Sequence, residues 1–161
     1  MVFLPNGDML VTERSGTLRR IGQKTQTMKV PEVYEIGEGG LLGLALDPKF
    51  TKTRFIYLYY TTRTKKKLSN EVVRYTYTQN GQLTNKVTLL SNIPAARFHN
   101  GGRIKFGPDG FLYITTGDAL IPELAQDNNS LAGKILRIKK NGASAPDNPF
   151  ANKIYSLGHR N

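Results

Sequence analysis

The chain holds two histidines, and each stands among residue types that do acid-base or anion chemistry. His99 lies in Arg97-Phe98-His99-Asn100-Gly101-Gly102-Arg103, directly ahead of the strand-like Ile104-Lys105-Phe106. Paired glycines let backbone approach a ligand closely, and an imidazole changes charge near neutrality, so this setting suits a general base. The competing reading is a histidine that only caps a turn. His159 stands in Gly158-His159-Arg160-Asn161. Arg160 carries a planar donor fork suited to a carboxylate or to a carbonyl gaining negative charge, and Asn161 adds another donor. The competing reading is polar surface. Glu38, in Gly37-Glu38-Gly39-Gly40, is set where glycines allow a tight turn and a carboxylate can reach a ligand. Asp118 ends Thr115-Thr116-Gly117-Asp118, and a carboxylate at a strand end can orient a base or hold a cation.

Several chemistries are excluded. The chain has no cysteine, which removes disulfides, zinc-thiolate sites and a thiol nucleophile. Gly37 to Gly40 lacks the Gly-Lys-Ser/Thr of a phosphate loop and the spacing of a dinucleotide fingerprint, and no Gly-x-Ser-x-Gly elbow occurs. Asp, Glu and His show no clustering at calcium or zinc spacing, so no metal ligand is assigned in this chain.

The elements that must position these residues are strands. Phe3-Leu4-Pro5-Asn6-Gly7-Asp8-Met9-Leu10-Val11-Thr12 is echoed by Phe106-Gly107-Pro108-Asp109-Gly110-Phe111-Leu112-Tyr113-Ile114-Thr115. Proline presets one φ and the glycine supplies a positive one, so each phrase is a turn feeding a strand. A looser copy, Leu46-Asp47-Pro48-Lys49-Phe50, leads into Phe55-Ile56-Tyr57-Leu58-Tyr59-Tyr60. The prolines at 5, 48 and 108 are spaced by 43 and 60 residues, the range of propeller blades. Gly16 to Ile21 and Lys134 to Ile138 alternate apolar with basic residues, which predicts one face on a core and the basic side chains in water. Leu120 to Leu131 holds Pro122 and Asp127-Asn128-Asn129, which argue for a long loop. The reading is all-β.

Lys+Arg number 23 against 12 Asp+Glu, a net charge of +11, with 39% hydrophobic residues over 161 positions. No run approaches the ~18 apolar residues of a membrane span. The densest basic run, Arg63-Thr64-Lys65-Lys66-Lys67, separates two strand-like segments and reads as a solvated hairpin tip. Nucleic acid is therefore not expected as a partner, since no aromatic is interleaved to stack bases. The N-terminus has no basic head and only a short apolar stretch, so no signal peptide is expected in this chain.

Taken in order, these phrases resemble the pyrroloquinoline-quinone-dependent glucose/sorbosone dehydrogenase family, the soluble aldose sugar dehydrogenases. They are Leu4 to Glu13, Gly37 to Pro48, His99 to Arg103, Phe106 to Asp118, Gly133 to Ile138 and Tyr155 to Asn161. The resemblance implies a six-bladed β-propeller, with residues 1–161 covering about the first three blades. Approximate blades are 1–35, 36–95 and 96–150, with 151–161 opening a further one. It implies oxidation of the anomeric hydroxyl of an aldose by hydride transfer to the quinone. His99 would be the general base and touch the sugar; Arg160 would stabilise charge on the quinone; Asn161 would contact the cofactor. Glu38 would lie near cofactor and sugar, where the glucose enzymes commonly carry glutamine. Calcium would help bind the quinone through ligands outside this chain. An extracytoplasmic location follows from the same resemblance. The alternative is a non-catalytic propeller that binds a protein partner, as hedgehog-interacting proteins do. The electron acceptor is not implied. Open sheet edges of a partial propeller would invite self-association.

Overall fold

The computed structural model describes residues 1–65 and 67–161. The chain folds into three four-stranded antiparallel sheets in sequence order, a propeller-like all-β arrangement. The first sheet contains β1 (Val2–Phe3), β2 (Met9–Glu13), β3 (Thr17–Ile21) and β4 (Gln26–Lys29). The second contains β5 (Leu41–Leu46), β6 (Phe55–Thr64), β7 (Lys67–Tyr77) and β8 (Leu83–Pro94). The third contains β9 (Ile104–Phe106), β10 (Leu112–Thr115), β11 (Lys134–Ile138) and β12 (Ile154–Leu157). Each sheet is a meander, and the sheets approach one another mainly through β1 and β2 against β5, and β5 and β6 against β9.

The recurring phrases are turns at one end of the sheets. Leu4 N–H donates to Asp8 O and Gly7 N–H to Leu4 O, which sets Phe3 opposite Met9. Gly107 N–H donates to Phe111 O and sets Phe106 opposite Leu112. At the looser copy a single helical turn, α1 (Phe50–Thr53), replaces the tight turn. Its entry is held by the Asp47 carboxylate, which accepts from Lys49 N–H at 2.7 Å.

The second sheet lies between the other two and is covered on both faces. The period of two in β6 divides its side chains: Ile56, Leu58 and Tyr60 pack with Leu10 and Leu18 of the first sheet, whereas Tyr57 and Tyr59 pack with Ile104 and Ile114 of the third. This explains the unbroken apolar run from Phe55 to Tyr60, which a strand with a solvated face would not show. The basic run falls on the β6–β7 hairpin as expected. Arg63, Lys65 and Lys67 are exposed there, and Lys66 lies outside the described residues.

Two expectations need correction. The basic side chains of the alternating strands are not all in water. Lys134 is fully buried, its Nζ donating to the carbonyls of Leu124, Ala125 and Ala132 at 2.7, 3.0 and 2.7 Å. Three acceptors are what an ammonium needs to leave water. Arg137 is only 12% exposed, stacking over Phe111 and Tyr113 while pairing with Asp109. Residues 151–161 do not open a new sheet, because Ile154–Leu157 pairs with β11 as the fourth strand of the third one. Beside β11, Ile154 is buried in the existing core.

Burial lowers the Lys134 amine below the ordinary lysine range, against the opposing pull of Asp127. The unfolded chain therefore binds more protons between the folded-state value and the ordinary ~10.4, and stability should rise with pH through that window. Urea midpoints from about pH 8 to about pH 10.5 should climb in the native protein relative to Lys134→Met. Parallel profiles would show that burial does not burden the amine.

Candidate active site

All candidate residues lie at the end of the sheets opposite the proline turns. The linkers entering β5 and β9, the β10–β11 loop and the chain following β12 meet there. The linker from β8 to β9 carries His99, and its conformation is set from below. Asn100 is 1% exposed and sits over the second sheet. Its carbonyl accepts from Tyr59 OH at 2.8 Å, its Oδ1 accepts from Asn70 Nδ2 at 3.2 Å and Ala96 N–H at 3.3 Å, and its Nδ2 donates to Ala96 O at 2.9 Å. Burial pushes the Tyr59 phenol far above its ordinary range, so it stays a donor. Asn70 is in turn held by Thr61 at 2.7 Å.

On this base His99 adopts a left-handed conformation, φ 57°. Its N–H donates to Glu38 Oε2 at 2.9 Å, and its carbonyl accepts from Ala119 N–H at 3.2 Å. The β10–β11 loop packs directly on that carbonyl: a Cβ added to Gly117 would stand 2.0 Å from His99 O. Only glycine permits the approach. The result puts Asp118 beside the imidazole, Oδ1 2.9 Å from Nδ1, with the two side chains 13% and 5% exposed for His99 and Asp118. Asp118 Oδ1 also accepts from Leu120 N–H at 2.9 Å, and Asp118 N–H donates to Arg160 O at 2.9 Å. An ionised carboxylate only accepts, so Nδ1 carries the proton, and in the neutral imidazole Nε2 then holds the lone pair. That is the tautomer of a general base steadied by an acid.

Asn161 completes the cluster. Its Oδ1 accepts from Gly101 N–H at 2.9 Å, and its Nδ2 lies 3.5 Å from Glu38 Oε2. The Arg160 guanidinium is exposed and has no partner among the described residues. Beside them runs an open groove of about 450 Å³, walled by Gly43, Gly101 and Gly102 and flanked by Arg14, Arg103 and Asn161. Arginine and amide donors over glycine backbone make a surface for a flat anionic ligand.

Of the residues expected from sequence, His99, Glu38 and Asn161 are brought together, and Arg160 joins them through its backbone carbonyl, which accepts from Asp118 N–H, with its side chain exposed. His159 is not, since its Nε2 lies 2.9 Å from Ser156 Oγ and its N–H donates to Gly133 O. Asp118 is the side chain that the fold sets against the His99 imidazole. Tyr59, Asn70 and Asn100 were missed; the one signal for them was an asparagine between the histidine and a glycine pair.

The fold and this site define a class: a sheet-stacked all-β protein that presents a carboxylate-oriented histidine beside free arginine and amide donors. Residues 1–161 match the family described as Glucose / Sorbosone dehydrogenase, and the chain belongs to it. A pyrroloquinoline-quinone-bound aldose sugar dehydrogenase from Streptomyces coelicolor superimposes with a TM-score of 0.92 at 42% identity, covering 98% of this chain and 49% of that one. Quinoprotein glucose dehydrogenase B of Acinetobacter calcoaceticus is 33% identical over 198 residues, matching 100% of this chain and 41% of its own length. Human hedgehog-interacting protein is less similar, 27% identical over 95% of this chain and 24% of its own. The chain spans about half the length of the dehydrogenases it matches.

Asn100→Ala keeps the backbone carbonyl that Tyr59 uses but removes the side-chain acceptor of Asn70 Nδ2 and Ala96 N–H and the donor to Ala96 O. We expect a loss of about 3 kcal/mol in urea unfolding. A loss below about 0.5 kcal/mol would mean the network does not anchor the turn.

Proposed function

We propose that the protein carrying this chain oxidises the anomeric hydroxyl of aldose sugars by hydride transfer to pyrroloquinoline quinone, within a six-bladed propeller of which this chain forms about half. The observation that carries the reading is the His99–Asp118 pair set beside Arg160 and Asn161 in a member of a sugar dehydrogenase family. The donor set suits the quinone, a planar tricarboxylate, because its arginines lie along a glycine-walled groove. Arg160 and Asn161 would hold the cofactor. When bound there, the quinone supplies the hydride acceptor.

The chain's own residues do the rest. Nε2 of His99 takes the anomeric hydroxyl proton as C1 loses its hydride, so the sugar leaves as a lactone. Asp118 keeps Nδ1 protonated and stabilises the imidazolium that forms. Glu38 stands at the border of cofactor and sugar through its Oε1, the oxygen not engaged with His99. Calcium would assist cofactor binding through ligands beyond residue 161. The extracytoplasmic location is part of the same proposal. The reading as a partner-binding module has the weaker likeness behind it and gives no role to a carboxylate-oriented histidine.

The test is dye-linked oxidation of an aldose panel by the intact protein, with and without added quinone and Ca²⁺. Turnover that requires both supports the assignment; no turnover and no quinone binding would overturn it. His99→Ala should lower kcat by ~10²-fold or more while the quinone still binds. Undiminished turnover would remove His99 from the chemistry.

A further inference from the structure

Glu38 was expected to reach a ligand, and in this exposed position its Oε2 is engaged by the backbone of the neighbouring linker. It accepts the His99 N–H at 2.9 Å, and Glu38 N–H donates to Arg97 O at 2.8 Å. The linker strand around Glu38 is thus stitched to both residues that flank Phe98. The turn it grips is unusual: His99, Gly101 and Gly102 all have positive φ, 57°, 65° and 105°. Glycine takes this region freely, but histidine does not, and it reverts unless the surroundings hold it.

Three contacts do so from three parts of the chain. Glu38, 61 residues earlier, takes the His99 N–H. Asn161, 60 residues later, takes the Gly101 N–H. Ala119 N–H supports the His99 carbonyl from the third sheet. The Glu38 contact is a charge-assisted bond to a backbone donor, and it fixes the ring's own residue rather than a neighbour. Rotation of the His99 backbone out of this conformation would swing the imidazole away from Asp118, which is held independently by Leu120 N–H and Arg160 O.

We propose that Glu38 is a positioning residue for the base: its carboxylate locks His99 in the left-handed conformation in which Nδ1 meets Asp118 and Nε2 faces the substrate. The inference rests on the reading of His99 as the base, and it adds to Glu38 a task separate from any contact with sugar. Glutamine can do the same through its amide oxygen, and alanine cannot.

The experiment compares Glu38→Ala and Glu38→Gln in the intact, quinone-loaded protein, with backbone hydrogen exchange of the 96–103 segment followed in parallel. For Glu38→Ala we expect kcat to fall by about 10 to 100-fold with KM within about 3-fold, as misplaced catalytic groups do. Amides of 96–103 should exchange at least about 10-fold faster with the remaining segments unaltered. Glu38→Gln should recover most of both losses. A rise in KM at constant kcat, with exchange unchanged, would overturn the proposal and leave Glu38 as a sugar contact alone, without touching the assignment of function. Equal damage from both variants would also overturn it, because the amide oxygen preserves the bond. If no aldose is oxidised by the native protein, the functional reading fails, and the exchange measurement still decides whether Glu38 locks the turn. Unchanged exchange in Glu38→Ala would then refute the lock by itself.

Discussion

A buried side-chain amide is tolerated only when its donors and acceptors are paired, and the site is built on one that meets that demand. Asn100 leaves water completely, so its neighbours must match its polar atoms one by one. Tyr59 and Asn70, on adjacent strands of the second sheet, and the backbone of Ala96 do so. Because Tyr59 and Asn70 sit in a hydrogen-bonded ladder, the turn that begins at Asn100 is placed by that ladder. The histidine one residue earlier then has a fixed origin from which its side chain projects.

The rest of the site closes on that fixed point by backbone contact. Gly117 brings the β10–β11 loop against the His99 carbonyl at a distance no side chain would permit. Asp118 is delivered to the imidazole as a consequence. The long loop that follows is held by Lys134, whose ammonium gathers three carbonyls under it. A charge buried this way is costly to create and costly to disturb, which keeps the loop in register with the strand that begins at Lys134.

The two ends of the sheets divide the work. Proline and glycine turns at one end reverse the chain mainly through short-range backbone hydrogen bonds. At the other end the linkers are longer, polar and tied to one another across sheets, and chemistry-bearing side chains concentrate there. The positive charge of the molecule reaches this end through Arg14 and Arg103, which line the open groove.

By itself the sequence determined the strand-rich class, the repeated turns and the hairpin carrying the basic run, and it singled out His99 as a candidate. These follow from period-two patterning and from turn chemistry, which act over a few residues. His99 was legible because glycines next to a histidine are a local pattern. Tertiary structure alone decided that β12 completes the third sheet, that Lys134 faces inward, that His159 stays apart, and that Glu38 turns toward a backbone amide. The clearest cases depend on partners remote in sequence, 9 residues for Lys134 and Ala125 and 61 for Glu38 and His99. A pattern of residue types cannot show which of several polar neighbours will satisfy a buried group, because that choice is made only when the sheets pack together.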